Sequence, residues 1–128
     1  MSDKFTVEII SPDQTVSKQE TNEVIIPSFE GQMGILNDHI PLITFLRPGI
    51  ITIKAEGEKK YYVEEGTVEF SNNNLLILTS TARDLANLNK SEINELLQKA
   101  EANLKTQSTD KERYITSYKL ETLKEISQ

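Results

Sequence analysis

Few residues of this chain combine the types and spacing that chemistry requires. His39 is the only histidine, which rules out a histidine-based metal cluster within one chain, and no cysteine is present to act as thiol nucleophile, zinc ligand or disulfide partner. Asp38-His39 pairs an acid with a base, but neighbours in an extended segment point apart, and no nucleophile accompanies them. His39 therefore reads as a turn or interface residue. Glu64-Glu65 is expected to split across opposite faces of a strand, which defeats a glycosidase-like carboxylate pair. Gly31 and Gly34, in Glu30-Gly31-Gln32-Met33-Gly34, lack the Lys-Ser/Thr of a phosphate-binding loop and read as shaping a tight turn. No catalytic residue, cofactor site or metal site emerges. The residues point away from catalysis, with a small enzyme as the weaker alternative.

The elements that must position such a surface fall into two groups. Phe5-Thr6-Val7-Glu8-Ile9 alternates apolar and polar residues, the period of a half-buried strand, and Ser11-Pro12-Asp13 ends it with turn chemistry. Glu23–Ile26 is a second β-branched run, expected to stop at Pro27, and Pro48-Gly49 predicts a further turn. Ile50–Ala55 and Lys60–Val63 flank Glu56-Gly57-Glu58-Lys59 as a hairpin, and Thr67–Phe70 and Leu75–Thr79 flank Asn72-Asn73-Asn74 as another. Short, closely spaced strands favour a sandwich or barrel over a βαβ sheet. Near residue 88 the period changes to about 3.6. Asn89 to Glu92 and Thr109 to Glu112 are each spaced as a capping box, and Leu88 with Ile93 brackets the first as a hydrophobic staple. Ile93, Leu96, Leu97, Ala100 and Leu104 form one apolar stripe, and Ile115, Tyr118, Leu123 and Ile126 a second. With the polar stretch 106–109 between them, these make an antiparallel αα-hairpin too narrow in its stripes to stand alone. The expected division is a β-body over 1–86 and a helical hairpin over 87–128.

At 128 residues the chain is one ordinary domain or one small domain with an appendage, and 37% hydrophobic with 27% charged residues suits a globular protein. Residues 1–86 carry 7 Lys/Arg against 13 Asp/Glu, whereas residues 87–128 carry 7 of each. An acidic body repels nucleic acid and anionic lipid head groups, so neither is an expected direct partner. No apolar run approaches the ~20 residues of a transmembrane helix. Met-Ser-Asp-Lys-Phe-Thr-Val lacks the charged start and apolar core of a signal peptide, so a cytosol-facing location is expected.

One long segment is more informative than its parts. Residues 30–53, from Glu30-Gly31-Gln32-Met33-Gly34 through His39-Ile40-Pro41-Leu42 to Pro48-Gly49, closely resemble the signature of the epsilon subunit of F-type ATP synthases, called delta in mitochondria. Tyr62–Phe70 is similar to that family's hairpin and Leu76–Ala82 to its last strand, so the resemblance runs over nearly the whole chain. It implies a mainly β fold with α: an antiparallel β-sandwich of about ten strands followed by two helices. It also implies a rotor subunit of the central stalk of a proton-translocating complex. There the sandwich grips the gamma subunit and rests on the ring of c subunits, while catalysis takes place on beta. The subunit then lies peripherally at the cytoplasmic face of the bacterial inner membrane, bound to it only through the complex. By the same resemblance, Gly31, Gln32 and Met33 meet the ring, and Ser11, His39 and Thr44 face gamma. A free-standing β-sandwich adaptor is the alternative.

In related subunits the hairpin lies beside the sandwich or extends up the stalk, where its basic residues meet an acidic segment of beta and block ATP hydrolysis. Lys99, Lys105, Lys111, Arg113, Lys119 and Lys124 are the candidates here. Some members bind ATP through an Ile/Leu-Asp-x-x-Arg-Ala motif, which this chain replaces with Leu88-Asn89-Lys90-Ser91-Glu92-Ile93. The acid has become Asn89 and the arginine Glu92, which puts a carboxylate where a phosphate or its partners would lie. The second-helix arginines of the ATP-binding members correspond to Ile115 and Thr122. Mg-ATP titrated calorimetrically into the isolated subunit, up to roughly millimolar concentration, should therefore give no saturating heat. A one-site isotherm would overturn that reading.

Overall fold

The computed structural model describes residues 4–107 and 109–127. Ten strands precede two helices: β1 Phe5–Ile10, β2 Thr15–Thr21, β3 Glu23–Ser28, β4 Gly31–Leu36, β5 Leu42–Leu46, β6 Gly49–Lys54, β7 Glu58–Val63, β8 Gly66–Ser71, β9 Asn74–Leu78, β10 Arg83–Asp84, then α1 Lys90–Thr106 and α2 Asp110–Ile126. Hydrogen bonding runs in the order β10-β7-β6-β3-β5-β8-β9-β1-β2, with β4 on the other flank of β3. β3 meets β5 through the single pair Ser28↔Leu46. The sheet turns there into two five-stranded layers, β10-β7-β6-β3-β4 and β5-β8-β9-β1-β2. All strand pairs are antiparallel except β1 with β9, a departure from the purely antiparallel sandwich expected.

Local chemistry accounts for the turns. Asn72 and Asn73 take φ of 51° and 57°, the left-handed pair that matches a two-residue hairpin loop to strand twist. Pro27 does not end its strand. β3 continues to Ser28 at the place where its neighbour changes from β6 to β5, and the Pro27 carbonyl accepts the Arg47 N–H at 2.9 Å. A missing donor is tolerated at such an interruption of the ladder. The turn expected at Gly31–Gly34 lies one step earlier, at Phe29–Glu30. Gly31, at φ 120°, opens β4, and Gly34 is an ordinary strand residue without positive φ.

The core between the layers includes Val7, Ile9, Val24, Ile26, Ile35, Ile51, Ile53, Val68, Phe70, Leu75 and Ile77, each at most 1% exposed. A second core lies on the other side of β7. Tyr61 and Val63 point inward, but Tyr62 between them is also fully buried, packed with Ala100, Leu120 and Leu123 of the helices and with Ile50 and Leu85. Both helix caps form as the sequence predicts: Asn89 Oδ1 accepts the Glu92 N–H at 2.8 Å, and Thr109 Oγ1 accepts the Glu112 N–H at 3.1 Å. The α1 stripe is as expected, with Ile93 and Ala100 buried. The α2 stripe is shifted. Thr116, Leu120, Thr122 and Leu123 are its buried residues, while Tyr118 turns to the sandwich. Thr116 is buried with its hydroxyl donating to Gln107 Oε1 at 2.8 Å, so a residue that a hydropathy pattern scores as polar lies inside. Residue 108, within the predicted 106–109 loop, lies outside the described residues.

Gly66 joins β7 to β8 at φ 156°, and a Cβ there would lie 2.6 Å from the Leu78 carbonyl oxygen. Gly66→Ala should cost about 2–3 kcal/mol in urea unfolding. Gly34→Ala, whose Cβ would meet only the end of the Glu23 side chain at 3.3 Å, should unfold within about 0.5 kcal/mol of the parent. Equal midpoints for the two variants would refute the assigned backbone constraint.

Candidate functional site

The two outer faces of the sandwich differ. The hairpin covers the β6–β7 face, and polar contacts hold it there. Glu64 uses both carboxylate oxygens: Oε2 accepts the Tyr62 hydroxyl at 3.0 Å, and Oε1 lies 3.6 Å from Lys119 Nζ on α2. The Arg47 guanidinium stacks over the Tyr118 ring at 4.1 Å, a cation–π contact between two partly exposed side chains. Burial, with the Glu64 charge and hydrogen bond added, pushes the Tyr62 phenol far above its usual range, against a smaller opposing pull from Arg83. Glu64 and Glu65 follow the end of β7 rather than lying within it, and still diverge: Glu65 Oε1 accepts from Ser80 at 3.2 Å while Glu64 serves the hairpin.

The other layer, β5-β8-β9-β1-β2, leaves its outer face open. Strand register assembles this face in rows. Phe45, Thr67, Leu78 and Ile10 are consecutive cross-strand partners, and the next row holds Ile43, Glu69, Leu76 and Glu8. Ile43 is 75% exposed, Phe45 59% and Leu78 45%. The first row continues into an apolar groove bounded by Ser11, Pro12 and Phe29 and by Lys111, Ile115 and Lys119 of α2. At about 1430 Å³ the groove exceeds the roughly 300–1,000 Å³ of small-molecule sites. An open apolar surface of this kind suits a protein partner.

The residues singled out from the sequence distribute over both faces. Ser11 and His39 stand at opposite ends of the open layer, Ser11 after β1 and His39 beside Phe70 with ring centroids 5.9 Å apart. Asp38, at φ 64°, sits in a turn rather than an extended segment, and its backbone N–H donates to Asn73 Oδ1 at 2.8 Å. His39 Nδ1 lies 2.7 Å from the Ile40 carbonyl oxygen. Thr44 is 6% exposed, opposite Val68, so its neighbours Ile43 and Phe45 are the ones that face outward. In Leu42-Ile43-Thr44-Phe45-Leu46, Thr44 lies inside with Leu42 and Leu46, while the apolar Ile43 and Phe45 lie outside. Two apolar side chains on the outer side of one strand are what a polar-out reading of the sequence misses. At the β3–β4 tip, Gln32 is exposed and Gly31 half-buried, whereas Met33 packs against the core; Phe29 and Glu30 complete the exposed tip. Among the hairpin cations, Lys119 is engaged by Glu64, and Arg113 Nε donates to the Gln107 carbonyl at 3.1 Å. Lys99, Lys105, Lys111 and Lys124 are exposed. Asn89 and Glu92 are joined in the α1 cap. The cleft under the start of α1 sets Arg47 and Lys60 against Glu121 and Glu125, a balance that does not favour an anion. Among the described residues no group of three or more His, Asp or Glu could hold a metal ion.

The family model described as "ATP synthase, Delta/Epsilon chain, beta-sandwich domain" matches residues 4–84. The chain belongs to this family. The delta/epsilon match ends where the last short strand ends, and similarity to whole relatives continues through the helices. The ATP synthase epsilon chain of Pelagibacter ubique (strain HTCC1062) is 47% identical over 130 aligned residues, covering 99% of this chain and all of that one. The epsilon chain of Afipia carboxidovorans is 32% identical, covering 97% of this chain and 92% of that one. The chloroplastic epsilon chain of Pyropia yezoensis is 35% identical over 91% of this chain and 87% of its own length. Two solved assemblies contain a chain of the same fold. One is the Euglena gracilis mitochondrial ATP synthase OSCP/F1/c-ring, with TM-score 0.76, 20% identity, and coverage of 97% of this chain and 79% of that one. The other is the Tetrahymena thermophila mitochondrial ATP synthase central stalk/c-ring, with TM-score 0.69, 14% identity, and 96% of each chain covered.

The delta/epsilon fold with a docked hairpin gives a pH prediction. Because the folded phenol of Tyr62 titrates above the unfolded value of about 10, the stability it confers is complete below pH 10. Above pH 10 the unfolded chain loses this proton and the native chain keeps it, so stability falls as pH rises. Urea unfolding of the parent should weaken more steeply above pH 10 than that of Tyr62→Phe, by up to about 1.4 kcal/mol per pH unit. Parallel pH profiles would show that Tyr62 is not held protonated by the fold.

Proposed function

We propose that this chain is the non-catalytic epsilon subunit of a proton-translocating F-type ATP synthase, a rotor element of the central stalk that transmits rotation of the c-ring through gamma to catalysis on beta. Membership in the delta/epsilon family and full-length similarity to epsilon chains support the role. The single observation that carries the mechanism is the asymmetry of the sandwich: one outer face is covered by the chain's own helices, and the other is open and apolar. In this reading gamma occupies the open layer, over Ile43, Phe45 and Leu78, with Ser11 and His39 at its two ends. The tip at Phe29–Gln32, including Gly31 and Gln32, meets the c-ring, with Met33 anchoring it from the core. The body over 1–86 is the coupling domain and the hairpin over 87–128 the regulatory one. When the hairpin extends toward beta, its cations reach the inhibitory position, and Lys119 must first leave Glu64. No described helix is long and apolar enough to cross a membrane, in keeping with attachment through the complex at its cytoplasmic face.

Affinity purification of the tagged subunit from detergent-solubilised membranes tests the role: alpha, beta, gamma and c subunits should co-purify. Phe45→Asp, placed on an exposed position, should keep the thermal unfolding midpoint within a few degrees and reduce gamma recovery at least about tenfold. Recovery of the chain without these subunits, or with an unrelated partner, would favour a free-standing adaptor instead.

A further inference from the structure

Resting on the reading that the open layer receives gamma, we infer that this face is specific for a helix bearing basic residues on both shoulders of an apolar stripe. Glu8 and Glu69 are what select it. Register puts Leu76 of β9 between Glu69 on β8 and Glu8 on β1, all on the outer face. Two strand spacings separate the carboxylate-bearing residues by about 10 Å, close to the ~10–12 Å width of an α-helix with its side chains. A helix lying along β9 would rest on Leu76 and Leu78, with Ile10 and Phe45 extending the apolar floor and one glutamate at each flank.

Among the described residues neither glutamate forms an ion pair. The ion pairs among the described residues are Lys54–Glu23, Lys60–Glu58 and Lys119–Glu64. Glu69 is exposed and Glu8 half-exposed. Lys18, cross-strand from Glu8, and Glu20, cross-strand from Thr6, continue the same outer face across β2, so its charge stays net negative. Carboxylates flanking apolar floor are costly to cover with a neutral or acidic surface, because each would be desolvated without a partner. They become favourable contacts when the incoming helix supplies Lys or Arg at both edges. The apolar rows provide the contact area, and the two carboxylates set which helix can use it and in which register.

The test measures binding of purified gamma to the full-length chain between about 50 and about 300 mM salt, comparing the parent with Glu8→Gln, Glu69→Gln, the double variant and Phe45→Asp. Each glutamine should weaken binding about tenfold, and the double variant should flatten the salt dependence. The substitutions are isosteric and solvent-facing, and a thermal unfolding midpoint verifies that each variant is folded. If Phe45→Asp abolishes binding while the glutamine variants keep the parent's affinity and salt slope, the selection by charge is overturned and the assignment of the face to gamma stands. If Phe45→Asp binds like the parent, the assignment of the face itself fails, and the charge selection with it.

Discussion

The burial of Tyr62 is the constraint on which the arrangement depends. A strand at the surface of a sandwich ordinarily keeps one face in water, but β7 sends Tyr61 and Val63 into the main core and Tyr62 into a second one, all essentially inaccessible to solvent. A large aromatic with a hydroxyl can be covered only if that hydroxyl finds an acceptor, and Glu64 provides it. The same carboxylate then faces Lys119 on α2. The apolar closure of the hairpin and its polar registration are thus tied through one residue. Without the hairpin, Tyr62, Ile50 and Leu85 would form an exposed apolar patch; without the sandwich, the narrow stripes of α1 and α2 would not offset the entropy of ordering two helices.

The two cores differ in extent. Among the described residues, hairpin and sandwich meet through a mostly aliphatic cluster around Tyr62, a part-buried ion pair and a cation–π pair. The sandwich core, by comparison, is a continuous set of aliphatic and aromatic side chains from both layers. The energy scales differ accordingly: an ion pair with its side chains 22% and 26% exposed contributes on the order of 1 kcal/mol or less, whereas each fully buried core side chain contributes about 1.5–3 kcal/mol. The apolar cluster around Tyr62 therefore contributes more to holding the hairpin than its ion pair does.

The open layer has the opposite logic. Its outward residues include exposed Ile43, Phe45 and Leu78, and Glu8 and Glu69 stand on either side of Leu76. The chain solves one face internally and leaves the other for a partner. Charge follows the same division, since the acidic excess lies in the body while the hairpin is balanced.

Local chemistry was legible in the sequence wherever a residue acts on its own backbone or on near neighbours. The strand of alternating residues at β1, the Asn72-Asn73 turn, the Asn89 and Thr109 caps and the change of period near residue 88 all follow from torsional preference and short-range hydrogen bonding. The long resemblance around residues 30–53 fixed the family for the same reason, because turn residues at set spacing record the local path of the chain. Tertiary structure alone decided which side each strand shows. Pro27 stays in β3 because its carbonyl and its gap are matched by Arg47 and by a change of neighbour. Thr44 lies inside while Ile43 and Phe45 lie outside because pairing with Val68 and closure of the layers set the parity. Tyr62 became the keystone because helices that begin well downstream of it in the sequence cover it. Side-chain period states that a strand has two faces, but which of them is covered, and by what, depends on contacts that no stretch of neighbouring residues contains.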